Sequence, residues 1–201
     1  DLGWWFRGNG LSRQICTGAA GVARLWYSLK KRNVPIWASS PMQELITEDG
    51  KVVGALVIRN GKPLRVQARK GVVLAAGGFE RNQQMREQYL PAPTSTDWSG
   101  GVEGNTGDAI QQGIALGAAT RLMDGAWWCT TVSVPGEPAP RLSVMEKSYP
   151  GSCIVNLRGE RFANESQNYM AFQKDLYKQH SEASPCSPMY QVFDARFRRD
   201  Y

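Results

Sequence analysis

The chain has 201 residues, 42% of them hydrophobic and 21% charged, which is enough apolar material for a packed core and predicts one large or two small globular domains rather than disorder. Its 24 Lys and Arg against 18 Asp and Glu give a formal charge of +6. The basic clusters, Lys30-Lys31-Arg32 and Arg196 with Arg198-Arg199, are short and fit no zinc-finger or RNA-recognition pattern, so solvated faces are expected and no nucleic-acid partner.

With a single histidine, His180, set in a polar stretch, neither a Ser-His-Asp triad nor a histidine metal centre is expected within this chain. Cys16, Cys129, Cys153 and Cys186 are too scattered for a CxxC or zinc pattern, so no metal is expected, and the thiols read as those of a reduced, cytoplasmic protein. No apolar run approaches 18 residues, so no integral membrane segment is expected. The absence of an initiator Met suggests a segment of a longer protein.

In chain order, Leu11, Ile15, Ala19, Val22, Leu25, Trp26 and Leu29 recur at helical spacing and predict a helix over residues 11–32, stopped by Asn33 and Pro35. The period then changes. Short strands are predicted at residues 35–37, 43–47, 52–59 and 64–68, with turns at Glu48-Asp49-Gly50-Lys51 and Asn60-Gly61, together an antiparallel meander. Residues 71–78, GVVLAAGG, read as a buried strand running into paired glycines that let a ligand approach the backbone.

A short helix through Met85 and Tyr89 is expected next, then a loop rich in Pro, Thr, Ser and Gly. Asn105-Thr106-Gly107-Asp108 precedes Ile110, Ile114 and Leu116, with Gly117 as the stop; this is either an ordinary capped helix or a helix start that receives a polar cofactor edge. An extended connection follows, whose Trp127-Trp128 pair serves as core or as ligand wall. Residues 132–140 read as an irregular Pro-containing loop. A hairpin is predicted between residues 154–157 and 161–162, turning at Gly159, then a helix from Ser166, as N-cap, to about Lys178, and a strand at residues 189–193. Tyr169 falls in the first turn of that helix, where unpaired amides and the helix dipole favour negative charge. It is either a packed aromatic or a base.

Three segments in this order, GVVLAAGGF from Gly71, GNTGDAI from Gly104 and GERFANE from Gly159, resemble the flavoprotein family of fumarate reductases and succinate dehydrogenases. Within it, Met85-Arg86, Gly125-Ala126-Trp127-Trp128, Tyr149-Pro150-Gly151 and Asn164-Glu165-Ser166 through Tyr169 are most similar to the 3-ketosteroid dehydrogenase branch, which desaturates a steroid ring beside its ketone. The resemblance implies an α+β fold: an α/β FAD-binding domain with the antiparallel meander over residues 1–128, and part of an α+β substrate cap over residues 129–201. It also implies FAD as cofactor, held by Ala76, Gly77, Gly78 and Asp108, with Met42 offering backbone groups to the adenine.

In the fumarate-reducing members an arginine that shuttles protons stands four places after the Glu of the Asn-Glu pair; here that place is Tyr169. Their threonine and glutamate before the hairpin correspond to Met145 and Glu146. Losing a cation and a hydroxyl weakens recognition of a dicarboxylate. A flat 3-oxosteroid fits better, with Tyr169 as catalytic base and an electron acceptor that the sequence does not identify. A fumarate or enoate reductase, or a non-catalytic binding module, is the alternative. The family's GxGxxG turn does not occur in these residues.

Overall fold

The computed structural model describes residues 17–201, which form two compact units, the first reaching Val72 and the second running from Val73 to Tyr201. The fold class is α+β, as expected.

In the first unit, helix α1 (Thr17–Lys31) ends where Val34 donates its N–H to the Leu29 carbonyl and Asn33 adopts a positive φ of 54°. This is a Schellman-type stop, with Asn tolerating the left-handed conformation and Pro35 blocking continuation. The earlier part of the predicted helix lies outside the described residues.

Strands β1 (Met42–Glu48), β2 (Lys51–Arg59) and β3 (Lys62–Gln67) pair antiparallel in that order. Both hairpins close on two residues: Asp49-Gly50 with φ of 48° and 74°, and Asn60-Gly61 with φ of 51° and 75°. Two consecutive positive φ values define the tight turn that matches strand twist, and Asp-Gly and Asn-Gly adopt it at least cost. A side chain at Gly54 would run into the Val66 carbonyl of β3. The strand predicted at residues 35–37 does not form: Pro35 has no N–H to give a ladder, and Trp37 instead lies under the Arg59 guanidinium, 4.0 Å from ring centroid to Cζ.

The buried strand predicted at residues 71–78 is an irregular segment, with Val73, the first residue of the second unit, 91% exposed. A strand buried on both faces needs neighbours on both edges, and among the described residues none pairs with it. Helix α2 (Gln83–Tyr89) starts under Asn82, whose Oδ1 accepts from the Met85 amide at 3.0 Å, and buries Met85. Helix α3 (Asp108–Ala115) ends at Gly117, with φ of 80° and the Ala118 amide donating to the Gly113 carbonyl.

The expected loop at residues 132–140 joins two short paired strands, β4 (Thr131–Val132) and β5 (Arg141–Leu142). Strand β6 (Ser152–Val155) takes β7 (Tyr190–Phe193) as its ladder partner, so the predicted hairpin reduces to one bridge, Val155 to Arg161. Asn156 explains the difference, because its Oδ1 accepts from the amides of Arg158 and Glu160 at 2.9 and 3.0 Å and bends the chain locally. Helix α4 (Tyr169–Gln179) lays Phe172 and Leu176 into a core with Ile154 and Cys186, and α5 (Ala195–Asp200) closes the described chain.

Candidate functional site

Two constellations form in the second unit. In the first, the paired glycines meet the start of α3. The Gly107 amide donates to the Gly78 carbonyl at 3.0 Å, and the Arg81 amide to the Asn105 carbonyl at 3.0 Å. Backbone meets backbone because side chains would obstruct it. A Cβ on Gly77, whose φ is 84°, would collide with the Asn105 amide, and one on Gly107 would stand 2.5 Å from the Met85 sulfur and 2.7 Å from Phe79 Cβ. Asn105 is fixed in turn by donating its side-chain N–H to Glu80.

Gly107 caps α3 without any side-chain bond, so Asp108 is the first helical residue and not the cap. Its carboxylate is exposed and accepts from the Thr106 hydroxyl at 3.2 Å. The structure therefore brings Gly77, Gly78 and Asp108 together, with Ala76 exposed beside them. An open glycine backbone next to a helix start that carries a carboxylate suits a flat ring system with hydrogen-bonding edges, which is the chemistry of FAD. Met42, half-buried, opens β1 in the first unit.

The second constellation is built around Tyr169. Glu165 is buried, and its carboxylate is taken up by structural bonds: it accepts from Arg161 at 2.6 and 3.1 Å and from the Ile154 amide at 2.8 Å. Burial alone would raise the Glu165 pKa, but the bonds from Arg161 and the Ile154 amide outweigh it and hold the group below the ordinary carboxylate value.

On the other side of the same turn the Lys147 ammonium, 1% exposed, donates to the carbonyls of Glu165 and Gln167, both at 2.6 Å, and to the Ser148 hydroxyl at 3.0 Å. Ser148 adds a bond to the Glu165 carbonyl at 2.8 Å. The chain segment leading into α4 is thus gripped from both sides.

The N-cap of α4 is Asn168, whose Oδ1 accepts from the Ala171 amide at 2.9 Å, rather than the predicted Ser166, whose own amide is taken up by the Asn164 side chain at 3.0 Å. Tyr169 is consequently the first residue of the helix, and its hydroxyl oxygen accepts from the indole N–H of Trp127 at 2.9 Å. Trp128 packs on Tyr177 of the same helix, ring centroids 5.0 Å apart, and Tyr177 donates its hydroxyl to the Pro93 carbonyl at 3.3 Å. Neither Lys147 nor the Trp127 contact was visible from the sequence; the aromatic pair was the one signal. Among the described residues no group of His, Cys, Asp or Glu could hold a metal ion, and no helix is long and apolar enough to cross a membrane.

The FAD binding domain family model matches residues 2–201. A 3-oxosteroid 1-dehydrogenase from Mycobacterium tuberculosis is 38% identical over 98% of this chain and 36% of its own length. The crystal structure of a 3-ketosteroid delta1-dehydrogenase from Sterolibacterium denitrificans, in complex with 1,4-androstadiene-3,17-dione, superposes with a TM-score of 0.90 at 44% identity, over 100% of this chain and 36% of that one. The open conformation of a flavocytochrome c3 fumarate reductase follows at a TM-score of 0.64 and 25% identity, over 96% of this chain and 32% of that one. The chain spans about a third of the length of the curated relatives it matches.

Proposed function

The chain belongs to the FAD-binding domain family, and on that premise we propose that the enzyme carrying it oxidises a 3-oxosteroid, introducing a ring double bond beside the ketone. The observation that carries this reading is Tyr169 itself: a phenol, not a cation, stands at the start of α4, and its oxygen accepts an N–H bond. The steroid class draws support from the names of the two steroid-oxidising relatives, and the division into an FAD-binding part, residues 1–128, and a cap, residues 129–201, belongs to the same proposal.

The chemistry divides into a proton and a hydride. A ketone makes the protons on its neighbouring carbon acidic, and Tyr169 takes one on its hydroxyl oxygen, acting as base in its deprotonated form. The electron pair left behind forms the new double bond as the next carbon gives up a hydride. Bound FAD supplies the acceptor for that hydride, and a separate electron acceptor must later reoxidise it.

This chain's part in holding the cofactor falls to Ala76, Gly77 and Gly78, which leave the backbone open, and to Asp108 as an acceptor at the helix start. Lys147 and Glu165 fix the turn that sets the Tyr169 position. Fumarate reduction is the weaker reading, because a dicarboxylate wants a cation where Tyr169 stands.

The test is anaerobic mixing of the purified, FAD-loaded enzyme with either 4-androstene-3,17-dione or succinate. Loss of flavin absorbance and appearance of 1,4-androstadiene-3,17-dione with the steroid alone supports the proposal. Reduction by succinate but not by steroid overturns it.

A further inference from the structure

Trp127 is the residue beside Tyr169 to which the proposed reaction assigns nothing. Within this chain its side chain is 82% exposed, and its indole N–H donates to the Tyr169 oxygen at 2.9 Å. Its neighbour behaves differently: Trp128 is half-buried against Tyr177. The dipeptide is therefore anchored by one indole on the body of α4 and reaches with the other to Tyr169, eight residues earlier, about two helical turns away.

Resting on the reading of Tyr169 as base, we propose that Trp127 is a positioning residue for this reaction, holding the Tyr169 oxygen through a donor that cannot accept a proton in return. The indole N–H is a donor only. It therefore cannot hold the phenol as a neutral donor, as a serine or asparagine in its place would, nor compete for the proton that arrives from substrate. A phenolate oxygen at Tyr169 makes the bond charge-assisted, which shortens and strengthens it. One lone pair of the oxygen is occupied and oriented by the indole. The others are left for the substrate C–H.

The experiment uses the intact FAD-loaded enzyme with two replacements of Trp127: Trp127→Phe, and incorporation of β-(3-benzothienyl)alanine, which keeps the bicyclic shape but has sulfur where the indole has N–H. Flavin reduction at saturating 4-androstene-3,17-dione is followed by rapid mixing, together with the steroid dissociation constant. Both variants are expected to reduce flavin about tenfold more slowly, the scale of one charge-assisted hydrogen bond, with steroid binding and FAD content unchanged within about twofold. In a Tyr169→Phe background the same replacements should change the rate less than about twofold.

An unaltered rate in the benzothienyl variant, with Tyr169→Phe strongly impaired, overturns the role of Trp127 and leaves the base reading standing. Equal losses in both backgrounds also overturn it, since they mark a packing role. Near-normal reduction by Tyr169→Phe alone sinks the base reading itself. If Trp127→Phe fails to fold, the isosteric replacement carries the test.

Discussion

Replacing Lys147 with Met probes the turn that carries Tyr169, because it keeps an unbranched apolar stem of four atoms and deletes the ammonium. The two carbonyls it serves, Glu165 and Gln167, lose donors at 2.6 Å. Glu165 retains the Ser148 hydroxyl at 2.8 Å, so Gln167 suffers more. A buried carbonyl left without a donor costs about 1–3 kcal/mol, and one and a half such losses are partly offset by no longer burying a charge. The net expectation is about 2–3 kcal/mol of lost stability, or roughly 4–12 °C in melting temperature for a domain of this size.

A pH signature accompanies the loss. Burial lowers the Lys147 pKa from its ordinary value of 10.5, so the folded protein binds fewer protons than the unfolded chain between the folded pKa and that value. Stability attributable to this group therefore rises with pH across that alkaline window, and Lys147→Met lacks the rise. Thermal melts of both proteins followed by circular dichroism from neutral to alkaline pH read both effects. A variant that melts within about 1 °C of the parent at neutral pH refutes the idea that Lys147 fixes the turn.

Asp108→Ala should weaken FAD retention, read as flavin released on dilution, while costing less than about 1 kcal/mol of stability, because Asp108 makes no cap bond and contributes only through the helix dipole and an exposed bond from the Thr106 hydroxyl. Gly77→Ala should lower FAD content in the purified protein, since a Cβ there meets Asn105 in a left-handed backbone conformation; a variant with full flavin content contradicts the close-approach role. Glu165 has a depressed pKa, so the stability it contributes is complete above the ordinary carboxylate value of 4.5 and is lost as pH falls through its folded pKa. Glu165→Gln should melt lower at neutral pH and show a shallower acid-side decline than the parent, as checked by melts between about pH 3 and 7.

The parts of the fold that were legible in the sequence are those whose cause is local. Asp49-Gly50 and Asn60-Gly61 dictate the meander because only such residues accept two positive φ values in succession. Asn33 and Gly117 stop their helices for the same reason. What failed depends on distant partners. The apolar run at residues 71–78 reads as a buried strand by composition, yet a strand exists only beside another. The ladder partner of β6 lies some forty residues on, in β7, because Asn156 spends its side chain bending the chain where a hairpin was expected.

At the candidate site, the meeting of the paired glycines with the helix start at Asp108 and the place of Tyr169 in the first turn of its helix are what motif and helix-start chemistry pointed to. The choice of Asn168 over Ser166 as cap was not legible, since both residue types cap well and the competing Asn164 turn decides between them. Lys147 carries no sequence signal at all: a buried ammonium is recognisable only once two carbonyls converge on it. The Trp127 contact spans 42 residues and is a matter of tertiary placement.

The central claim is that Tyr169 takes a proton from the carbon beside the ketone, and Tyr169→Phe isolates it by deleting the hydroxyl while keeping the ring. In rapid mixing of the FAD-loaded variant with saturating 4-androstene-3,17-dione, the account predicts normal FAD content, normal steroid binding and flavin reduction slowed on the order of 100-fold or more, the usual scale of general base catalysis. Flavin reduction at close to the parent rate would contradict it and return Tyr169 to a packed aromatic at a helix start.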